Sequence, residues 1–243
     1  MNRNAVLDFI FPPRCPICDG VMAMGENGCH EECRKKLLPV GRNTCCRCGK
    51  PVPDETVEYC YDCVGTKRTF ERGVSAFVYE DAMKNSMLKF KFFGREEYGA
   101  WYAEELMERC GTTLRDFGAE AVIPVPIHRK KYRLRGYNQA EVLAAELADR
   151  LQLPMYGKYL RRNRFTVPQK ELNNRERMRN LRQALEPGRD ALMLRKKRMT
   201  PNRVILVDDI YTTGSTLEVC SHILADTGIG HIMVATICTG SGY

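Results

Sequence analysis

No apolar run in this sequence approaches the roughly 18 residues that a bilayer-spanning helix needs. The start of the chain lacks the marks of an export signal. Its apolar patch, Val6, Leu7, Phe9, Ile10 and Phe11, is interrupted by Asp8, closed by Pro12 and Pro13, and followed by no small-residue cleavage site. That stretch reads better as a short amphipathic helix leading into the first cysteine pair, and a cytoplasmic protein is expected. Two common phosphate motifs are missing as well. Without a GxxxxGK ending in Ser or Thr the chain is not a P-loop NTPase, and without GxGxxG after a strand it has no dinucleotide fingerprint. A disulfide scaffold is also excluded. Nine of the 12 cysteines fall between Cys15 and Cys63, and only Cys110, Cys220 and Cys238 lie elsewhere. Clustered CxxC pairs in a chain without an export signal read as metal ligands, with redox CxxC chemistry the minor alternative.

What is present begins with a repeat. Cys15-x2-Cys18 is followed after eleven residues by His30-x2-Cys33, and Cys45-x2-Cys48 is followed after eleven by Cys60-x2-Cys63. Every member of the second set lies 30 residues after its counterpart, so the module is duplicated. Each unit offers two ligand pairs on tight turns, enough for one tetrahedral Zn2+. The period makes His30 the equivalent of Cys60, while Cys29, three residues rather than two ahead of Cys33, stays open as the alternative ligand. Cys46 adjoins a ligand and is not expected to be one. Gly49 suits the knuckle turn because glycine accepts positive φ.

The 243 residues, 44% of them hydrophobic, suffice for one large domain or two small ones. We place the zinc module at 1–68 and a second domain at 69–243. In that domain Ser75–Tyr79 reads as a strand, Asp81–Phe93 and Tyr98–Asp116 as helices, and Ala121–Val125 as a short buried strand. Asn138–Leu151 has helical apolar spacing. The stretch Arg161–Leu185 reads as a long mobile loop leading into a helix. Arg203–Val207 reads as a buried strand, Ser215–Ala225 as a helix ended by Gly228 and Gly230, and His231–Cys238 as a last strand. Strands alternating with helices imply an α/β fold with a mostly parallel sheet and helices on its faces. The charge is uneven. His128 to Thr200 holds 20 Lys/Arg against 7 Asp/Glu, and the remainder 18 against 23, so one basic block stands ready for an anionic partner.

The chemistry concentrates in one run. Val204 to Val207 leads into Asp208-Asp209, then Ile210-Tyr211 and the turn Thr212-Thr213-Gly214-Ser215-Thr216 at the start of a helix. Backbone N–H groups, hydroxyls and the positive end of a helix make a seat for a phosphate monoester. Two carboxylates beside it can accept hydrogen bonds from ribose hydroxyls, and in α/β sheets ligands gather at the carboxyl ends of strands. An acid pair that merely caps a helix is the bland alternative, and the full nine-residue run argues against it.

Val204 to Thr216 resembles the signature of type I phosphoribosyltransferases. Three further segments narrow the resemblance to the ComF family of double-zinc-ribbon, phosphoribosyltransferase-like proteins. They are Val125-Pro126 leading through Arg129 to Arg135-Gly136-Tyr137-Asn138-Gln139, then Pro168-Gln169-Lys170, then Asn174, Arg175 and Asn180. The one departure is His30, where the family usually carries cysteine. The resemblance implies phosphoribosyl pyrophosphate, or another phosphorylated ribose, as ligand with Mg2+. Asp208 and Asp209 would hold the ribose, and Tyr211 with Thr212 to Thr216 the 5-phosphate. The loop after Val125, with Arg129 and Arg135, would meet the pyrophosphate, and Lys170 and Arg175 would sit in a basic lid over the reacting centre. It equally implies a role in competence and DNA uptake, with single-stranded DNA and a helicase-like translocase as partners. No segment specifies an acceptor base, and the zinc module occupies the region where related enzymes carry their acceptor hood.

Overall fold

The computed structural model describes residues 12–23, 28–164 and 174–242, and only the backbone of 174–177. The amphipathic helix expected before Pro12 lies outside these residues.

Two copies of one turn open the chain. The Cys15 N–H donates to Gly20 O at 2.8 Å and the Asp19 N–H to Cys15 O at 2.9 Å. Thirty residues on, the Cys45 N–H donates to Lys50 O at 2.8 Å and the Gly49 N–H to Cys45 O at 2.9 Å. The bridges Arg14–Val21 and Thr44–Pro51 keep the same offset. The fifth position of the turn is left-handed in both copies, φ 69° at Asp19 and 73° at Gly49. Gly49 carries a second constraint, since a Cβ there would run into the carbonyl of Gly73, and a Cβ on Gly73 into that of Cys48. The second knuckle therefore meets the first strand backbone to backbone. In the first unit a short helix, α1 (Glu31–Arg34), carries Cys33.

Four parallel strands form the main sheet in the order β1 (Arg72–Val78), β6 (His231–Thr239), β5 (Arg203–Tyr211), β2 (Ala121–Pro124). The segment between the two zinc units adds to the β1 edge, where the Val78 N–H reaches Leu38 O at 2.8 Å and the Val40 N–H reaches Ala76 O at 3.0 Å. The connecting helices are α2 (Asp81–Phe92), α3 (Tyr98–Asp116), α4 (Arg129–Arg135) and α5 (Gln139–Leu151). After them come α6 (Asn174–Ala184), α7 (Arg189–Lys197) and α8 (Ser215–Asp226). A small antiparallel pair, β3 (Leu160–Arg162) and β4 (Leu185–Pro187), stands apart from the main sheet.

Alternation along the strands divides the core in two. Ile205 and Val207 of β5 pack with Phe77, Met87, Phe90, Trp101, Tyr102 and Leu143, under α2, α3 and α5. Val204 and Leu206 pack with Phe70, Tyr159, Leu217, Leu224 and Val234, under α8. Side chains one residue apart on a strand face opposite ways, and each of these apolar groups contributes roughly 1.5–3 kcal/mol on burial. The zinc units divide in the same way. Cys15 and Cys33 belong to the first core and Cys45, Cys48, Cys60 and Cys63 to the second, so each unit braces one face of the sheet.

Three expectations need correction. The strand read as ending at Val207 runs to Tyr211, because β6 keeps pairing beyond it, Asp208 with Thr236 and Tyr211 with Thr239. The acid pair is thus part of the strand itself. The segment read as a loop leading into a helix from Arg161 begins in β3 and closes in β4, with the expected helix, α6, between them. The loop expected after Val125 contains α4, capped by His128 Nδ1 accepting from the Lys130 N–H at 3.1 Å and ended by Gly136 at φ 84°.

Candidate functional site

The described residues hold two four-ligand clusters, Cys15, Cys18, His30 and Cys33, and Cys45, Cys48, Cys60 and Cys63. In each, the ligand atoms all lie within 4.8 Å of one another. In the first, Cys18 Sγ is 3.3 Å from His30 Nδ1, and His30 Nε2 lies 3.2 Å from Val21 O. A ring nitrogen that donates to a carbonyl leaves the other with its lone pair towards the site, the arrangement a histidine ligand needs. Cys29 is buried in the first core instead, where burial pushes its thiol up to about 11. In the second cluster Cys48 and Cys60 sulfurs are 3.5 Å apart and all four are buried. Hydrogen bonds from the Cys48 and Cys63 thiols hold Cys45 low, and the contact with Cys45 drives Cys48 upward. Four crowded sulfurs ionise together only around a cation, and both donor sets suit tetrahedral Zn2+.

The second site lies at the carboxyl end of β5. Asp208 Oδ1 accepts from the Asp209 N–H at 2.9 Å, and Asp209 Oδ2 is 2.8 Å from Lys91 Nζ at the end of α2. Burial and the Asp209 carboxylate push Asp208 up to about 7. Cations crowd this pair from three elements. Lys131 on α4 is depressed by burial and by the nearby charges of Arg162, Arg135 and Lys91. Burial also lowers Arg135 and Arg162, whereas Asp209 and Asp208 support the charge of Arg135 and Asp208 that of Arg162. Arg135 is further fixed by Gln139 Oε1 at 2.7 Å and by the Phe92 ring, 4.9 Å away. Four cations thus meet two carboxylates, one of which titrates near neutrality, and the surplus suits a polyanion.

Beyond the acid pair the chain turns through Thr212 and Thr213 to Gly214, φ 74°, the N-cap of α8. Among the described residues no side chain caps that helix, while Thr213 Oγ1 and Ser215 Oγ stand 3.0 Å apart beside its first turn. Open N–H groups, two hydroxyls and a helix dipole together make an anion seat. Tyr211 is buried under the turn, and its hydroxyl finds no hydrogen-bond partner among the described residues. A Cβ on Gly214 would drive into that hydroxyl. Val125 is tied to the same end of the sheet, its N–H donating to Val207 O at 2.8 Å and its carbonyl accepting from Asn138 Nδ2 at 3.0 Å.

Residues 6–64 match the double zinc ribbon domain. The chain is 28% identical to Competence protein F of Haemophilus influenzae, over 91% of this chain and 94% of that protein. It is 26% identical to Competence protein ComFC of Bacillus subtilis, over 81% and 77%. It is 25% identical to the DNA utilization protein YhgH of Escherichia coli, over 93% and 97%. The chain is a homologue of the ComF-type proteins. Among solved structures, the purine phosphoribosyltransferase of Pyrococcus horikoshii aligns over 57% of this chain and 73% of its own, at 19% identity and TM-score 0.34. That overlap is too slight to add to the sheet order and loop already described. No described helix is long and apolar enough to cross a membrane.

The structure brings together Asp208, Asp209, Thr213, Gly214 and Ser215 at one strand end, with Arg135 close to the pair. Arg129 is exposed at the start of α4. Lys170 and the side chain of Arg175 lie outside the described residues. Sequence reasoning missed Lys91, Lys131 and Arg162. The signal that was there is the density of cations between His128 and Arg164, but which of them face the acids depends on the fold.

Proposed function

We propose that this chain binds phosphoribosyl pyrophosphate with Mg2+ at the carboxyl end of β5. The supporting observation is the pairing of two carboxylates with four cations beside an uncapped helix start. Asp208 and Asp209 accept hydrogen bonds from the ribose hydroxyls, and the turn Thr212 to Thr216 seats the 5-phosphate on its N–H groups. Lys91, Lys131, Arg135 and Arg162 face the pyrophosphate. Magnesium, carried in with the ligand, lowers the charge on the leaving group. The reaction this suits is displacement at the anomeric carbon. The bond to pyrophosphate breaks with its electron pair staying on the leaving group, and an acceptor nucleophile bonds to the opposite face. The oxocarbenium-like centre must be kept from water, a task for the 161–182 segment with Lys170 and Arg175. On this reading the chain divides into a zinc module at 1–68 and a ligand-binding domain at 69–243.

Calorimetry with phosphoribosyl pyrophosphate and Mg2+ tests the binding, and pyrophosphate release against a panel of bases tests the transfer. Binding that is lost in Asp209→Asn supports the site, whereas no binding by folded, zinc-loaded protein sinks it. The names of the relatives, competence and DNA utilization, favour a second reading as an accessory of DNA uptake. There the basic surface meets single-stranded DNA and a helicase-like translocase, and binding without turnover would favour it.

A further inference from the structure

The two metal clusters do different work, because among the described residues only the second is tied to the phosphate turn. Arg68, five residues after Cys63, donates through one nitrogen, Nη2, to Asp62 O at 3.2 Å and to Thr213 O at 3.1 Å. The guanidinium thereby clamps the ligand-bearing turn of the second zinc unit to the turn at Thr213. The next residue extends the clamp, since the Thr69 N–H and hydroxyl both reach the buried Glu218 carboxylate in the first turn of α8, at 3.0 and 2.8 Å. Beneath the turn lies Tyr211, with Lys50 Nζ 5.7 Å over its ring and Phe70 edge-on at 6.3 Å. Lys50 sits between the two ligand pairs of that unit and is held by Asp62 at 2.6 Å. The first cluster makes none of these contacts. It is fastened to α2 and α3, with Pro16 O accepting from Ser86 Oγ, Ile17 O from Lys89 Nζ, and Asp19 from Tyr98 Oη and Arg95.

We propose that the second metal cluster is the foundation of the phosphate turn, with Arg68 the positioning residue that couples them, so that metal occupancy there sets the affinity of the turn for its anion. This rests on the ribose-phosphate reading for the identity of the anion but not for the coupling itself. A metal-bound ribbon fixes Asp62 and Cys63, these fix Arg68, and Arg68 holds the Thr213 carbonyl so that the N–H groups beyond Gly214 converge. Loss of metal frees Arg68, and the turn no longer starts in the geometry an anion needs.

The test uses the full zinc-loaded chain and two readouts, amide hydrogen exchange by peptide and calorimetry with phosphoribosyl pyrophosphate plus Mg2+. Arg68→Ala should keep both zinc ions, speed exchange at 212–217 by about tenfold, and weaken binding by about tenfold, the scale of one charged hydrogen bond. Arg68→Lys should restore part of both. Cys60→Ser, which removes a ligand of the second cluster, should loosen the same peptide, whereas Cys18→Ser should loosen α2 and leave 212–217 unchanged. If Arg68→Ala leaves exchange at the turn unaltered, or speeds exchange everywhere and loses zinc, the coupling is overturned. If the unmodified protein binds no phosphoribosyl pyrophosphate, the functional reading fails, while the exchange arm still decides this one.

Discussion

Lys91 Nζ lies 2.8 Å from Asp209 Oδ2, and it is the direct ion-pair partner that the acid pair has among the described residues. Both side chains are largely shielded from solvent, so the pair is only weakly screened. On the proposed binding mode, ribose hydroxyls that engage Asp209 would free the ammonium to turn to the incoming phosphates. Lys91→Met should therefore destabilise the ligand-free protein by about 1–3 kcal/mol, because a shielded carboxylate loses its counter-charge. It should also weaken phosphoribosyl pyrophosphate binding by about tenfold or more. Adding Asp209→Asn should return the stability but not the binding. Urea titrations with calorimetry on the cycle check this, and a double variant that regains affinity would show that Lys91 is only a counter-ion.

The second prediction concerns pH. Burial and Asp209 push Asp208 up to about 7, against the pull of the Asp209 N–H, Lys91 and Arg162. In the unfolded chain a carboxyl titrates near ~3.9. Between about pH 4 and pH 7 the folded protein thus retains a proton that the unfolded chain has released, so this group's contribution to stability falls as pH rises through that window. Asp208→Asn removes the titration. It should be more stable than the unmodified protein at pH 8 by about 1–3 kcal/mol, and the gap should narrow steadily towards pH 5.5. A gap that does not change with pH would show an ordinary carboxylate.

For the metal sites, protein purified without added metal should carry about two zinc equivalents by elemental analysis. His30→Ala should leave about one, because its Nδ1 faces Cys18 while Val21 O holds its other nitrogen. Cys29→Ala should retain two and lose only core packing, about 1 kcal/mol. The opposite pattern would reassign the ligand.

The ribbons were readable because a duplicated unit repeats its backbone bonds along with its cysteines, so one period predicted both. The helix Tyr98–Asp116 and the run from β5 into α8 were equally open to reading, since apolar periodicity and turn residues agree there. What escaped notice is instructive. Helix α4 buries none of its residues and shows no apolar stripe. A cap at His128 and a left-handed Gly136 frame it, and it serves to present Lys131 and Arg135. The strand was read as ending before the acid pair because two aspartates are poor strand formers, but pairing with β6 overrides that preference. Lys91 and Arg68 act across long stretches of chain, on Asp209 and Thr213, and no local pattern announces such partners.

The last prediction separates the two tasks of Gly214. Its φ of 74° alone disfavours a side chain by about 1 kcal/mol. A Cβ would also sit 2.6 Å from Tyr211 Cζ and 3.0 Å from Cε2, as well as against the hydroxyl. The ring cannot simply withdraw, with Phe70 edge-on to it and Lys50 over its face. Gly214→Ala should therefore cost about 2–4 kcal/mol, more than the backbone angle explains, and Gly214→Val more again because of its β-branch. The tyrosine beneath the turn thus adds to the backbone angle as a reason for glycine at this position. Tyr211→Phe removes a buried hydroxyl that has no partner among the described residues, so alone it should leave stability unchanged or raise it by up to about 1 kcal/mol. Combined with Gly214→Ala it should recover less than half of the loss, because the ring carbons remain. Thermal melts of the three variants measure this directly. If Tyr211→Phe spares stability yet weakens binding of inorganic phosphate, the orphaned hydroxyl is a donor to the bound anion. If affinity is untouched, Tyr211 supports the turn from below and the backbone N–H groups carry the contact.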